Sequence, residues 1–175
     1  MFGVVRALHE LLWLLTEAAA LASSAPQRAD LADAVDRIGR LAGGTPDRLD
    51  GLEVDGQRAA VLPLLRRAGE LARAGSDGPR SDLAGADLLG SDLRDTDLRG
   101  ACLRGSLLVG ADLRGADLAL ADLTGADLRG ADVRGTDLSR ALFLSQQQAN
   151  ACRGDGGTLL PGALDRPGHW SPGNG

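Results

Sequence analysis

The chain has 175 residues, 43% of them hydrophobic but only 2% aromatic, and a formal net charge of −5 at pH 7. Its 19 basic residues face 24 acidic ones, so there is no basic surface of the kind that binds nucleic acid, and no apolar run is long enough to span a membrane. Two cysteines are too few for a disulfide framework. We therefore expect a cytoplasmic protein with reduced thiols.

The first part of the chain has the apolar spacing of helices. Residues 4–21 are apolar around most of a helical surface, and residues 24–44 follow with a polar start and a Gly-Gly stop. A turn is predicted at Thr45-Pro46, and a third helix over residues 55–75. The sequence predicts a helical N-terminal unit over residues 1–75.

From Ser81 to Ser145 the sequence repeats every five residues without an insertion. A continuous strand would turn successive leucines to opposite faces, and a helix would rotate them by about 140° per repeat, so neither element buries them on one side. Within one repeat, however, a short extended piece points the small residue and the leucine inward and the aspartate outward. Glycine recurs at the phase where the chain needs a corner. The pattern predicts a chain wound into coils.

Repeats such as Ala111-Asp112-Leu113-Arg114-Gly115 resemble those of the pentapeptide-repeat family, which read Ala-(Asp or Asn)-Leu-x-x. The resemblance implies an α+β chain in which the helical unit is followed by a right-handed quadrilateral β-helix with four repeats per coil. We predict a linker at 76–80, thirteen repeats over 81–145, and a short C-terminal capping helix with an irregular tail over 146–175. The expected inward core residues are Leu83, Leu88, Leu93, Leu98, Leu103, Leu108, Leu113, Leu118, Leu123, Leu128, Val133, Leu138 and Phe143.

The residues after the repeats predict how the solenoid ends. Ser145 is placed to cap a short polar helix that Gly154 ends. The segment Pro167-Gly168-His169-Trp170 is similar to a tail that follows many solenoids of this family, and the similarity implies that Trp170 packs back.

No residue pattern predicts catalysis. His9 and His169 lie in opposite terminal regions, and neither has neighbours at metal-ligand or triad spacing. The repeated aspartates are expected on the outer wall near arginines, where carboxylates stay solvated. Cys102 replaces an outward aspartate and has only Arg104 as a basic neighbour, which is weak reason to expect a reactive thiol. We expect no catalytic residue, no cofactor and no metal, and so a protein that is not an enzyme.

Two outward faces stand out if residues twenty apart stack. One is an ion-pair face whose simplest role is solubility and protection of the strands from sideways aggregation. The other is a contact patch where outward leucines and a valine replace polar residues, and such clusters mark a contact. The patch predicts either a dock for the N-terminal helices or an interface with a second copy or a partner. The ion-pair face comprises Asp92, Arg94, Asp112, Arg114, Asp132 and Arg134, and the contact patch comprises Leu89, Leu107, Val109 and Leu120.

The sequence favours a non-catalytic scaffold or protein-interaction protein with an unknown partner, no direct binding of nucleic acid and no membrane span. The alternative is a DNA-mimicking binder of a type II topoisomerase such as gyrase, because some members of the family resemble a duplex in girth and charge. The predicted solenoid is about 16 Å long, and a duplex of that length carries about nine negative charges. The repeats hold eleven aspartates against seven arginines, which makes such a mimic half-strength.

Overall fold

The computed structural model describes residues 2–45, 49 and 51–170. The chain divides into two compact units, Met1–Ala72 and Arg73–Gly175. The predicted turn at Thr45-Pro46 falls largely outside the described residues, and so does the tail beyond Trp170. The helices are α1 (Phe2–Leu21), α2 (Ala25–Ala42), α3 (Val54–Ala74) and α4 (Gln146–Ala151).

The first unit is built from α1, α2 and most of α3. α2 begins at Ser24, whose hydroxyl accepts a hydrogen bond from the backbone N–H of Gln27 at 3.3 Å. α1 packs against α2, and an ion pair of 3.5 Å joins Arg58 of α3 to Glu10 of α1. Buried side chains recur at three- and four-residue spacing, as expected for apolar helix faces: Leu8, Leu11, Leu15 and Ala18 in α1, Leu31, Ala34 and Ile38 in α2, and Val61, Leu65 and Ala68 in α3.

The second unit is a β-helix solenoid made of the five-residue repeats. Its repeats are joined by parallel β-bridges between residues twenty apart, such as Asp92 with Asp112 and Asp112 with Asp132. Each coil therefore contains four repeats: residues 81–100 form coil 1, residues 101–120 form coil 2, and residues 121–140 form coil 3. In the described residues these contacts are isolated bridges rather than long strands, because each extended piece is interrupted by a corner.

The corners explain the glycine phase of the repeat. Nine corner glycines of the repeats, from Gly85 to Gly135, have φ between 62° and 70°, a conformation that glycine adopts without steric penalty. Asp95 and Leu120 occupy the same phase with φ of 55° and 59°. The backbone thus keeps its corner at these two positions despite the side chain.

The C-terminal end of the solenoid is covered by α4 and the tail. Arg153 bridges to Asp132 and Leu159 bridges to Asp137, so the tail continues two faces of the solenoid. Trp170 is 6% exposed, and its indole N–H donates to the carbonyl of Cys152 at 3.2 Å. The tail is therefore packed onto the last coil as far as Trp170.

Candidate functional site: the walls of the repeat segment

The extended pieces of successive coils stack into four walls, each with a column of outward side chains. The β-bridges and the five-residue phase define these columns. Wall 1 carries Asp82, Cys102, Asp122 and Leu142; wall 2 carries Asp87, Leu107 and Asp127; wall 3 carries Asp92, Asp112 and Asp132; wall 4 carries Asp97, Asp117 and Asp137.

Inward side chains of the repeats form one apolar cluster. Leu83, Leu88 and Leu93 of coil 1 are only partly buried and pack against it. At the end of the run the cluster includes Leu144, while Phe143 is fully buried with a φ of 58°. The fully or almost fully buried inward residues that sequence analysis named are Leu98, Leu103, Leu108, Leu113, Leu118, Leu123, Leu128, Val133 and Leu138.

Wall 3 brings the residues of the predicted ion-pair face together. Within each repeat the arginine turns back to the aspartate two residues before it, with N–O distances of 2.6 Å for Arg94–Asp92 and 2.5 Å for Arg114–Asp112. The same arginine also reaches the next coil, because Arg94 Nε lies 3.7 Å from Asp112 Oδ2. The third pair, Arg134–Asp132, measures 2.6 Å and completes the column.

These ion pairs lower the pKa values of the wall carboxyls. The hydrogen bond from Arg114 is the largest cause that lowers the pKa of Asp112 to about 2. Arg99 has the same effect on wall 4, where the pKa of Asp97 falls to about 2. The aspartates therefore stay ionised at neutral pH, and neighbouring arginines offset their charge. Wall 3 consequently presents alternating charge, whereas on wall 4 one arginine, Arg99, lies 2.7 Å from Asp97 and 3.7 Å from Asp117.

Wall 2 carries three of the four predicted contact-patch residues. Leu89 is 66% exposed and Leu107 is 43% exposed, while Val109 is half-buried. The backbone joins them directly, since Leu88 N–H donates to Leu107 C=O at 2.9 Å and Gly90 N–H donates to Val109 C=O at 2.9 Å. The three side chains thus form one small apolar surface on coils 1 and 2. We call Leu89, Leu107 and Val109 the wall 2 patch.

Leu120 does not belong to the wall 2 patch. It occupies the corner that ends the wall 4 repeat of coil 2, with a φ of 59° and a half-buried side chain. Its backbone N–H donates to Arg140 C=O at 2.9 Å, which fixes it beside the next corner of the same column. The solenoid therefore separates it from the other three residues by a wall.

Wall 1 contains a buried ion pair that the sequence analysis did not identify. Asp122 is 0% exposed, and its carboxylate accepts hydrogen bonds from Arg104 at 3.1 Å and from the hydroxyl of Thr124 at 2.6 Å. Cys102 and Leu142 in the same column are also buried although they point outward from the coil. The sequence did offer one signal: Cys102 and Leu142 are uncharged, and both stand in the wall 1 column, at positions where most repeats have aspartate.

The titratable groups outside the repeats are dispersed. His9 is exposed in α1, and His169 is exposed in the tail, where its Nε2 lies 3.1 Å from Cys152 C=O. Within residues 2–45, 49 and 51–170, no three His, Cys, Asp or Glu residues are grouped so that they could hold a metal ion. None of the helices in those ranges is long and apolar enough to cross a membrane.

The repeat geometry agrees with comparisons to known proteins. The family model for pentapeptide repeats matches residues 80–108 and 106–143, with eight copies. Residues 80–143 of this chain are therefore a pentapeptide-repeat segment. A curated relative, the uncharacterized protein YybG of Bacillus subtilis (strain 168), is 50% identical over 172 residues, which are 97% of this chain and 62% of YybG. The chain thus spans less than two thirds of that relative.

Two solved pentapeptide-repeat proteins are similar to part of the chain. Rfr23 from the cyanobacterium Cyanothece 51142 has a TM-score of 0.41 and 32% identity, with 46% of this chain and 54% of Rfr23 covered. HetL from Nostoc sp. strain PCC 7120, which is involved in heterocyst differentiation regulation, has a TM-score of 0.35 and 32% identity, with 52% of this chain and 38% of HetL covered. Both of these proteins are described as pentapeptide repeat proteins.

Proposed function

We propose that this chain is a non-catalytic interaction scaffold: a helical unit over residues 1–75, a linker at 76–80, a right-handed quadrilateral β-helix over 81–145 and a capped tail. Its outer walls present contact surfaces to another protein. The observation that carries this proposal is the wall 2 patch, where Leu89 and Leu107 are adjacent and exposed. We place the protein in the cytoplasm, because Cys102 and Cys152 are free thiols.

The wall 2 patch has the physical character of a contact surface. Burying a leucine side chain completely is worth about 1.5–3 kcal/mol, so two exposed leucines offer a partner a useful apolar anchor. The patch is bordered on its wall by Asp87 and by the Asp127–Arg129 pair, with an N–O distance of 2.6 Å. An apolar centre with a polar rim is the usual anatomy of a protein interface.

The topoisomerase alternative is weaker on the same observations. A DNA mimic needs continuous negative potential, whereas Arg94, Arg114 and Arg134 follow the aspartates along wall 3 at 2.5–2.6 Å. We expect purified chain at micromolar concentration to leave gyrase supercoiling unchanged. Inhibition, or protection against a quinolone, by the wild-type chain would reverse this preference.

The scaffold proposal is tested by comparing captured proteins among three immobilised versions of the chain. The first is wild type, the second carries Leu89→Ser, Leu107→Ser and Val109→Ser, and the third carries Leu62→Ser and Leu71→Ser. Leu62 and Leu71 are matched controls because they are 50% and 47% exposed in α3. Circular dichroism first establishes that all three are folded.

We expect quantitative mass spectrometry to show at least one protein whose recovery falls about tenfold with the wall 2 variant alone. Sedimentation of the same three samples reports whether that protein is a second copy of the chain. Equal recovery and equal sedimentation for all three versions would contradict the proposal that wall 2 is the contact surface.

A further inference from the structure

The two ends of the solenoid differ in how their backbone edges are satisfied. At the C-terminal end α4 and the tail cover coil 3. At the N-terminal end Arg80, the residue before coil 1, donates its backbone N–H to Arg99 C=O of wall 4 at 3.2 Å. Gly100 on the same wall has no room for a Cβ, because one would lie 2.7 Å from the Cβ of Ser76. Residues 76–80 thus lie beside wall 4 of coil 1 without the β-bridge that joins successive coils.

Among the described residues, no β-bridge joins walls 1 to 3 of coil 1 to a preceding strand. In coil 2, Leu107 N–H donates to Ala86 C=O and Leu107 C=O accepts from Leu88 N–H, both at 2.9 Å. The equivalent N–H and C=O groups of coil 1 belong to Asp82, Asp87 and Asp92. These groups have no backbone partner among the described residues, and all three aspartates are exposed. We call this row the N-terminal edge.

The apolar layer beneath the N-terminal edge is also incompletely covered. Leu83, Leu88 and Leu93 are only partly buried, whereas their counterparts one coil later, Leu103, Leu108 and Leu113, are at most 1% exposed. One additional layer of inward side chains therefore separates a partly buried leucine from a fully buried one. An added strand with inward apolar residues would supply that layer.

The charges at the N-terminal edge indicate what kind of strand fits. Asp112 has two arginine neighbours, Arg114 at 2.5 Å and Arg94 of the preceding coil at 3.7 Å. Asp132 likewise has Arg134 at 2.6 Å and Arg114 at 3.8 Å. Asp92 has only Arg94 in the described residues, and its side chain is 61% exposed against 27% for Asp112 and 15% for Asp132. An arginine from a preceding strand is the missing neighbour.

We propose that the N-terminal edge binds an extended, arginine-bearing segment of another protein, added as a parallel strand along walls 1 to 3. The segment would offer Asp87 one backbone C=O and one backbone N–H, as Ala86 and Leu88 do for Leu107. Its arginines would approach Asp82, Asp87 and Asp92. This inference rests on the proposed scaffold function and names the class of partner and its site. Strand addition to an exposed edge is an established mode of peptide recognition.

A second copy of the chain is a poorer occupant than a basic strand. Two N-terminal edges facing each other would set aspartates against aspartates, and like charges directly opposite across a strand pair are destabilising. The opposite end of a second solenoid is unsuitable as well, since Gln148 Nε2 already donates to the carbonyls of Leu123 and Ala126 there. Charge and edge geometry together favour a separate, basic segment.

The test uses a synthetic peptide of three Ala-Ser-Leu-Arg-Gly repeats and the full chain. An otherwise identical peptide with Glu in place of Arg is the control for charge. Fluorescence anisotropy measures binding, and amide hydrogen exchange locates it. We expect saturable binding of the arginine peptide below about 1 mM, and slowed exchange at the N–H groups of Asp82, Asp87 and Asp92.

Variants of the chain separate the backbone contribution from the charge contribution. Asp87→Asn removes one carboxylate, while Asp87→Pro removes both the carboxylate and the backbone N–H at the N-terminal edge. We expect Asp87→Pro to weaken binding of the arginine peptide at least about tenfold more than Asp87→Asn does. Joint replacement of Asp82, Asp87 and Asp92 by Asn should weaken binding about tenfold. The matched replacement of Asp117, Asp127 and Asp137, which lie in coils 2 and 3, should leave binding unchanged.

Several results would overturn the assignment. Absence of saturable binding, equal binding of the Glu peptide, or equal affinity of the edge and deep-coil variants would each do so. Self-association of wild type that Asp87→Pro abolishes would make a second copy the occupant instead. Because the scaffold proposal is tested through the wall 2 patch, its success alongside failure of the peptide would refute only the edge inference.

Discussion

At the scale of single residues, orientation within the repeat decides what a leucine contributes. Leu113 points inward and is 1% exposed, whereas Leu89 points outward and is 66% exposed. The two differ by burial rather than by chemistry. The same side chain is therefore part of the core at one phase of the repeat and part of a contact surface at another.

We expect Leu113→Ala to lower the free energy of unfolding by about 3 kcal/mol, because it removes buried methyl groups and leaves a cavity. Leu89→Ala should change it by less than about 0.5 kcal/mol, because the side chain is largely in water already. Urea unfolding followed by far-ultraviolet circular dichroism measures both. Equal costs for the two variants would contradict a core made of inward leucines.

Ionisation of the wall aspartates predicts how stability depends on pH. Hydrogen bonds from Arg114 and Arg99 lower the pKa values of Asp112 and Asp97 from 3.8 to about 2. A pKa that is lower in the folded state stabilises the fold above the unfolded value, and this contribution disappears as pH falls through the folded value. We expect the urea midpoint to decline between about pH 4 and pH 2.

The double variant Asp97→Asn, Asp112→Asn should show a shallower decline over the same interval, because two of the groups that titrate there are gone. Leu89→Ala serves as the control, since it leaves the ion pairs intact and should keep the wild-type profile. The interpretation fails if the double variant loses stability as steeply as wild type.

At the scale of the elements, α4 closes the solenoid through a single glutamine. Gln148 Oε1 accepts from the N–H of Ser145 at 2.8 Å, and the Ser145 hydroxyl accepts from Gln148 N–H at 3.3 Å, which forms a capping box. The amide of Gln148 also donates to the carbonyls of Leu123 at 2.8 Å and Ala126 at 2.9 Å. One side chain thus starts the helix and satisfies the last coil.

Gln148→Ala should cost about 2 kcal/mol of unfolding free energy, because the Ala126 and Leu123 carbonyls lose the Gln148 amide as a donor and the capping box loses its acceptor. Leu123 C=O keeps the N–H of Ala126, at 3.0 Å. Gln147→Ala is the matched control: Gln147 is exposed on the same helix, so its replacement should be close to neutral. Thermal unfolding of the two variants decides between them, and equal melting temperatures would refute the capping role of Gln148.

The sequence predicts those features that depend on the repeat and misses those that depend on single contacts. The five-residue phase and the family resemblance lead to coils with residues twenty apart in register, as the bridge between Asp112 and Asp132 shows. Periodicity does not reveal which of three consecutive glutamines bonds to the last coil. Nor does it show that Leu144 joins the core cluster after Phe143 adopts a φ of 58°.

In the candidate site, too, the repeat predicts some features of the walls and leaves others unpredicted. Replacement of aspartate by Leu107 marks an outward apolar residue, and Leu107 is exposed. The burial of Asp122 on wall 1 follows no rule of the repeat, because its five residues differ from those around Asp112 only in having Thr124 where Arg114 stands. Only the three-dimensional surroundings of a wall decide whether its outward column meets water.

At the scale of the whole molecule, the two units carry different spectroscopic and chemical probes. Trp13 lies in the unit Met1–Ala72, whereas Trp170 and both cysteines lie in the unit Arg73–Gly175. Cys102 and Cys152 are buried, and desolvation raises the pKa of the Cys152 thiol to about 12. Cys152 belongs to the apolar core of the second unit, so its reactivity reports opening of that unit.

We expect neither thiol to react with a maleimide in native buffer near pH 7, and both to react once urea unfolds the repeat segment. The Cys152→Ser variant leaves Cys102 as a single reporter and separates the two sites. Rapid labelling of the wild-type chain without denaturant would show that the solenoid or its cap opens readily, contrary to the structure.

The patch, the ion pairs and the N-terminal edge all depend on one register, in which residues twenty apart form the columns of each wall. Scalar coupling across hydrogen bonds in nuclear magnetic resonance measures it directly. The structure predicts couplings from the amide nitrogens of Leu103, Leu108 and Leu113 to the carbonyl carbons of Asp122, Asp127 and Asp132, whose bonds measure 2.9 Å. Couplings from these three amides to any other carbonyl carbons would contradict the register and both proposals built on it.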